Sequence, residues 1–484
     1  MAIQPPRVVL AGLRGGSGKT LLAVGLTSFW TARGLAVRTF KKGPDFIDAA
    51  WLGFASGRSC YNLDPFLMSD AQIINSFLSH SAGTDISVIE GNRGLYDGLK
   101  PNGDSSTAML AKLLKTPVIL IVDVTMATRT MAALVMGCQQ FDPELNIVAA
   151  ILNRVAGHRQ ESVAKHAIEH YCGIPVIGSV PKLEVNFLPE RHMGLIPYQE
   201  RDDAKRAIAW AREVVEKNLD LDAVYGLAHE VGPLEIRHTP HAVREAIIEH
   251  GYHPRIGFIR DTSIWFYYPE NLDQLKNLGA DLVEINSIHD TELPDLDALY
   301  IGGGFPETQA QALADNKRFR GSLKKQIESG LPVYAECGGL IYLGEALIVD
   351  GTTYPMVGAL PLKMVLEKKP QGHGYTVLEV TTQNPYYQVG EVLKGHEFHY
   401  TRMLQGGSEL INAVFKIRRG QGLDGKTDGL CKKNLLATFT HIHAGGNPLW
   451  GQRLVKAAFQ SNDRQERNTG HESRKEIENP PILG

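Results

Sequence analysis

The sequence predicts two doubly wound α/β domains in tandem, on three observations. Short apolar runs alternate with helical patterns, two such series occur with a strand-poor stretch between them, and glycine-rich turns stand at strand ends in both. Continuous apolar runs suit strands covered on both faces by helices, hence parallel sheets. The first series is Arg7–Ala11, Leu35–Phe40, Ile86–Glu90, Val118–Asp123, Ile147–Leu152 and Pro175–Val180. A helix follows its first strand through Ala32, and Gly34 is placed to end it. The second series is Arg255–Ile259, Asp281–Ile285, Ala298–Ile301 and Pro332–Ala335. The expected domains are therefore 1–225 and 254–458, with a linker at 226–253 and a polar tail at 459–484 that reads as disordered.

Composition narrows the class of function. A chain of 484 residues has room for two or three domains, and 43% hydrophobic residues suffice for ordinary cores. A net charge of −3 without a basic stripe argues against a nucleic-acid partner. The five cysteines lack CxxC spacing, which argues against zinc ribbons and disulfides and fits a reducing, cytoplasmic setting. With no apolar run of about 18 residues, no membrane span is expected.

Between the first strand and its helix lies Ala11-Gly-Leu-Arg-Gly-Gly-Ser-Gly-Lys-Thr20. Gly12, Gly15, Gly16 and Gly18 leave backbone N–H groups clear to wrap phosphate oxygens. Lys19 would reach the β and γ phosphates of ATP, and Thr20 would bind Mg²⁺. Leu13 occupies the first glycine position of the strict motif, so the loop is one residue longer when counted from Gly12. That longer loop resembles the dethiobiotin-synthetase and ParA-like branch of P-loop proteins, with Arg14 where some of them carry a signature lysine. Asp45 and Asp48, three apart after the second strand, and Glu90, at the end of the third, are candidate magnesium ligands. Asn153 follows another strand end and is a candidate purine contact.

In the second half, Leu331-Pro-Val-Tyr-Ala-Glu-Cys337-Gly-Gly-Leu-Ile-Tyr-Leu343 reads as a buried strand, a tight turn bearing a cysteine, and a helix start. Glycines clear space around Cys337, and the helix N-terminus favours a thiolate. The N–H groups of Gly303, Gly304 and Gly338 are candidate oxyanion donors. His441 and His443, late in the chain, are both candidate bases. The glutamate that often stands two residues after the catalytic histidine of class I glutaminases is absent, because His443 occupies that place. Another group must therefore orient the imidazole.

Together these motifs resemble the cobyrinate a,c-diamide synthase family over residues 5–458. They include Lys42-Gly-Pro-Asp-Phe-Ile-Asp48, Asn62-Leu-Asp64, Glu90 through Gly98, Leu188-Pro-Glu-Arg-His192, Phe266-Tyr-Tyr-Pro-Glu-Asn271, Gly302 through Glu307, Ala335-Glu-Cys-Gly-Gly339 and Gly395-His-Glu-Phe-His-Tyr400. The resemblance implies an N-terminal dethiobiotin-synthetase-like P-loop domain and a C-terminal class I glutamine amidotransferase domain. It also implies glutamine hydrolysis at Cys337, phosphorylation of tetrapyrrole acetate carboxylates by ATP with Mg²⁺, and their amidation by ammonia. Asp97 would lie near the tetrapyrrole, and His396, Glu397 and His399 would line its cleft. A homodimer is compatible with this reading. Asn92-Arg93, Phe46, Lys42 and Arg14 depart from the family pattern. Their added cations leave sirohaem or nickel-sirohydrochlorin as alternative substrates. A ParA-like nucleotide switch is the non-enzyme alternative, and it leaves the C-terminal half unexplained.

Overall fold

The computed structural model describes residues 2–188, 190–191, 194–195, 197–200, 203–237, 252–404 and 412–461. The chain divides into two compact units, 1–240 and 241–484.

The first unit is built on seven parallel strands. They are β1 (Arg7–Gly12), β2 (Val37–Lys42), β3 (Tyr61–Leu63), β4 (Ile86–Glu90), β5 (Val118–Asp123), β6 (Ile147–Val155) and β7 (Val176–Pro181). Their order is β3-β2-β4-β1-β5-β6-β7. Every residue of β1 and β4 is buried, as their unbroken apolar runs require when helices cover both faces. The chain reverses direction across the sheet between β4 and β1 on one side and β5 on the other, so the carboxyl ends of these strands frame a crevice. Two helices border it: α1 (Lys19–Ala32) directly after the β1 loop, and α2 (Ile47–Ser56) after β2.

The boundary expected at residue 226 falls inside α3 (Leu221–His229). Beyond it, Leu234–Glu235 pairs antiparallel with Ala2–Ile3, and the buried Arg7 donates to the Gly232 carbonyl at 2.6 Å. The first unit thus keeps the chain through at least residue 237. Two-residue strands carry no periodicity, so the sequence could not announce this one. The remainder of the expected linker, 238–251, lies outside the described residues.

The second unit holds a ten-stranded mixed sheet. Its strands are β8 (Arg255–Ile259), β9 (Asp281–Ile285), β10 (Ala298–Ile301), β11 (Val333–Glu336), β12 (Gly372–Val380), β13 (Val392–His399), β14 (Asn412–Arg419), β15 (Thr427–Lys432), β16 (Leu435–Thr438) and β17 (His441–Ile442). Their order is β9-β8-β10-β11-β16-β15-β14-β12-β13-β17. The first five in that order are parallel and the rest pair antiparallel. A short helix, α4 (Gly338–Leu343), leaves the carboxyl end of β11. The chain is helical over 449–461, so the expected tail begins inside a helix, and 462–484 lie outside the described residues. Among the described residues no helix is long and apolar enough to cross a membrane.

Candidate functional site

In the first unit the β1–α1 loop, β2, β4 and β6 meet around a cavity of about 470 Å³, lined among others by Gly15, Gly16, Gly18, Lys19, Thr20, Lys41, Asp48, Glu90 and Asn153. Gly16 and Gly18 take φ of 69° and 94°, the left-handed backbone that turns successive N–H groups toward an anion. Lys19 Nζ donates to the carbonyls of Arg14 at 3.1 Å and Arg93 at 2.8 Å. Burial, then the neighbouring Lys41, lowers its pKa. Thr20 Oγ1 donates to Glu90 Oε1 at 2.6 Å.

A residue that motif reading passed over organises this site. Lys41, at the end of β2, is 1% exposed, and its ammonium lies 2.7 Å from Asp48 Oδ2 and 2.9 Å from Glu90 Oε1. Burial alone would lower its pKa, but the charges of Asp48 and Glu90 prevail and raise it. A signal in the sequence is a lysine pair closing a strand, Val37-Arg-Thr-Phe-Lys-Lys42, whose residues are buried except Arg38. The structure separates the three expected metal carboxylates by role. Asp48 is bound to Lys41. Asp45 Oδ1 accepts the Asp48 N–H at 2.9 Å ahead of α2, and burial followed by the Asp48 charge pushes it up to about 7. Glu90 is buried at the carboxyl end of β4, and its Oε2 has no hydrogen-bond partner among the described residues. A hydroxyl and an unpaired carboxylate oxygen beside a phosphate loop fit Mg²⁺, which takes few protein ligands alongside phosphate and water. Thr20 and Glu90 are thus a pair that could hold it, with Asp48 lining the same cavity.

Asn153 lines the same cavity as the phosphate loop. Its Nδ2 donates to the Ser17 carbonyl at 2.8 Å, so it braces the phosphate loop. Arg154 donates to the Gly16 carbonyl at 2.9 Å and pairs with Asp123 at 2.7 Å, while Arg14 reaches Asp123 at 2.9 Å. Burial pushes Asp123 up, but hydrogen bonds from Thr125 and Arg14 prevail and hold it at about 2. Asp97 Oδ2 accepts the Gly94 N–H at 2.9 Å and closes the turn after β4. A Cβ at Gly18 would lie 2.3 Å from Asn153 Nδ2, in backbone that already disfavours a side chain. Gly18→Ala is therefore expected to cost about 1–2 kcal/mol of loop geometry, roughly a tenfold loss in affinity for a non-hydrolysable ATP analogue by calorimetry.

In the second unit Cys337 sits between β11 and α4 with φ 46° and ψ −97°, a strained conformation for a residue with a side chain. Its N–H donates to Thr438 O at 2.7 Å, its carbonyl accepts Ile341 N–H at 3.0 Å, and Gly339 N–H reaches Gly302 O at 3.0 Å. The glycines are close-packed against this elbow. A Cβ at Gly338 would lie 2.8 Å from Gly304 N, and one at Gly303 would lie 2.4 Å from His441 Cε1. The expected oxyanion residues, the nucleophile and one histidine are thus brought together. The thiol is not pre-ionised as the helix start suggested. Burial, then Glu307, pushes it well above its ordinary range, and Sγ donates to the Phe398 carbonyl at 3.4 Å.

The two histidines separate clearly. His441 lies against Gly303, its Nδ1 is 3.3 Å from Glu336 Oε2, and burial pushes it down to about 3. His443 is turned to a different partner: Nε2 is 3.5 Å from Glu270 Oε1, and Nδ1 accepts the Gly445 N–H at 3.0 Å. Two further residues fix the His441 segment. Asp428 accepts from Thr438 Oγ1 at 2.7 Å, Phe439 N at 3.0 Å and Thr440 N at 3.2 Å. Asn271 donates to Ile442 O and accepts from Ala444 N, both at 2.7 Å. Neither role was legible in the motifs, although Asn271 ends the Phe266–Asn271 stretch.

His396, Glu397 and His399, expected to line the substrate cleft, are buried on β13. His396 is in register with His441 across the β13–β17 pair. Glu397 accepts the N–H groups of Gln421 at 2.6 Å and Gly422 at 2.8 Å. His399 stacks on Phe439 at 3.7 Å, and its Nδ1 lies 2.8 Å from Thr401 O. The same strand supplies the Phe398 carbonyl that meets Cys337 Sγ.

Comparison with known proteins gives two family matches. Residues 8–196 match the CobQ/CobB/MinD/ParA nucleotide binding domain, and residues 255–449 match the CobB/CobQ-like glutamine amidotransferase domain. Over 457 residues, the chain is 40% identical to the cobyrinate a,c-diamide synthase of Magnetococcus marinus, covering 94% of this chain and 98% of that protein. The enzyme of the same name from Archaeoglobus fulgidus is 39% identical, with 94% and 98% covered. That from Listeria innocua is 37% identical, with 91% and 97% covered.

Proposed function

The chain belongs to the cobyrinate a,c-diamide synthase family of glutamine-hydrolysing carbon–nitrogen ligases, and from that premise we propose that it amidates the a and c acetate carboxylates of cobyrinate. The observation that carries the reading is the joint presence on one chain of a phosphate loop with Thr20 on Glu90, and of a Cys337 elbow packed against Gly303, Gly304 and His441.

At the glutaminase centre His441 takes the proton of Cys337, and the thiolate attacks the glutamine side-chain carbonyl. N–H groups of Gly338 and of the Gly303–Gly304 stretch receive the oxyanion. The proton passes from His441 to the departing nitrogen, ammonia leaves, and water cleaves the thioester to glutamate. In the first unit a substrate carboxylate oxygen attacks the γ phosphorus of ATP, and ADP departs. The acyl phosphate gives its carbonyl carbon to ammonia, phosphate leaves with the bonding pair, and the nitrogen loses a proton to become an amide. Phosphorylation is needed because oxide is too poor a leaving group. Lys19 would exchange the carbonyls of Arg14 and Arg93 for phosphate oxygens. Thr20 and Glu90 would hold magnesium, which when bound supplies charge neutralisation at the phosphates.

Substrate identity is tested by offering cobyrinate, sirohaem and nickel-sirohydrochlorin in parallel, with ATP and glutamine and mass detection. The expected result is stepwise conversion of cobyrinate to its diamide. Amidation of one of the other rings in its place would overturn the assignment and leave the chemistry intact.

A further inference from the structure

We infer that Glu336, the residue directly before the nucleophile, is the positioning carboxylate for His441. The inference rests on the glutaminase reading and answers what orients the imidazole when no glutamate stands two residues after it. Glu336 ends β11, in the middle of the sheet, and is 1% exposed. Its Oε2 lies 3.3 Å from His441 Nδ1 and accepts the Tyr300 hydroxyl at 3.2 Å, while its Oε1 accepts the Ile442 N–H at 3.1 Å. One carboxylate therefore holds both the ring of His441 and the backbone of the next residue. The opposite edge of the ring faces the glycine wall, since a Cβ on Gly303 would lie 3.2 Å from Nε2. A carboxylate that accepts Nδ1–H sets the tautomer in which Nε2 is the unprotonated base, and it stabilises the imidazolium once it forms.

The surroundings are consistent with such a role. Burial pushes Glu336 up to about 8. The other titratable groups whose charge couples to it are Tyr267, Tyr300, Tyr334, Tyr387 and Cys337, and burial raises each of these, so they stay neutral near pH 7. Ionised Glu336 accepts Nδ1–H and sets the productive tautomer, whereas protonated Glu336 donates to Nδ1 and sets the opposite one. Glutaminase activity should accordingly rise as pH climbs through about 8.

Glu336→Gln keeps the side chain's size and an acceptor for Ile442 but removes the charge. Its glutaminase kcat is expected to fall by roughly 10²–10⁴-fold. The KM for glutamine should change by less than about threefold. The rate of Cys337 alkylation by iodoacetamide should lose the rise near pH 8, and any limb shared with wild type belongs to the thiol itself. Glu336→Asp, which restores a carboxylate, should recover part of both. A purely structural role would move the melting temperature without moving the pH profile. Wild-type kcat and an unchanged profile in Glu336→Gln would overturn the inference. If that variant does not fold, the unmodified protein decides. A low-field Nδ1 proton resonance that disappears in His441→Asn supports the pairing, and its absence refutes it. Failure of wild-type Cys337 to react with a glutamine-analogue electrophile would overturn the glutaminase reading itself, and this inference with it. Normal labelling with unchanged Glu336→Gln kinetics sinks only the positioning role.

Discussion

Replacing Cys337 by alanine is expected to lower glutamine-dependent amidation by about 10³-fold or more, since in the proposed reaction the thiol forms the covalent intermediate. Amidation driven by free ammonia should persist, because Lys19, Thr20 and Glu90, to which the proposal gives the phosphorylation, belong to the other unit. The expectation comes from the elbow's construction. Its strained φ of 46° is held by Thr438 and Ile341, and the glycines around it leave no room for a side chain. Alanine removes the sulfur and leaves those backbone bonds in place, so the fold should be little affected. Steady-state assays with glutamine and with ammonium chloride, run side by side at a pH where free ammonia is abundant, make the check. Loss of both activities would mean that Cys337 serves more than glutamine hydrolysis.

Lys41→Met should be the most destabilising single change near the ATP site. The lysine stem is replaced by a similar volume, but Asp48 and Glu90 lose the ammonium between them. Removing one partner of a buried ion pair typically costs about 3–5 kcal/mol. For a unit of this size that corresponds to a loss of roughly 10 °C in melting temperature. The defect should depend on pH, with a sign that follows from proton binding. Burial already raises Glu90 above its ordinary value, and losing Lys41 raises it further. The folded variant then binds more protons than the unfolded chain over the interval between the two pKa values, so stability falls as pH rises. The gap to wild type should be wider at pH 8 than at pH 5, by thermal denaturation followed by circular dichroism. A gap independent of pH would show that Lys41 matters for packing alone.

Much of the scaffold was legible because parallel, doubly covered strands write themselves as apolar runs. Ile86–Glu90 and Val118–Asp123 match the observed strands end to end, whereas Leu35–Phe40 is displaced two residues from β2 because charged Lys41 and Lys42 hide its end. The antiparallel strands β12, β13 and β14 escaped notice. They are only partly buried, their alternation is irregular, and glycines such as Gly372, Gly374 and Gly395 interrupt them. At the sites, the candidates legible in sequence are those on contiguous motifs: Lys19, Thr20, Glu90, Cys337 and the glycines. What escaped were relations between distant segments. Lys41 as counter-ion, Glu336 on His441, Asp428 under Thr438–Thr440 and Asn271 on Ile442 each depend on strand register, which one sequence does not display. The hydrogen bond from Asn153 to the Ser17 carbonyl, across the cavity it lines, is a relation of the same kind.

The central claim is that this single chain couples glutamine hydrolysis at Cys337 to ATP-driven amidation. Its most direct test supplies glutamine labelled with ¹⁵N in the side-chain amide, ATP and cobyrinate to the purified protein, and follows the ring by mass spectrometry with ADP and glutamate counted in parallel. The account predicts one labelled nitrogen per new amide, each matched by one ADP and one glutamate. ATP hydrolysis without labelled amide, or amide nitrogen drawn only from unlabelled ammonium in the buffer, would contradict it.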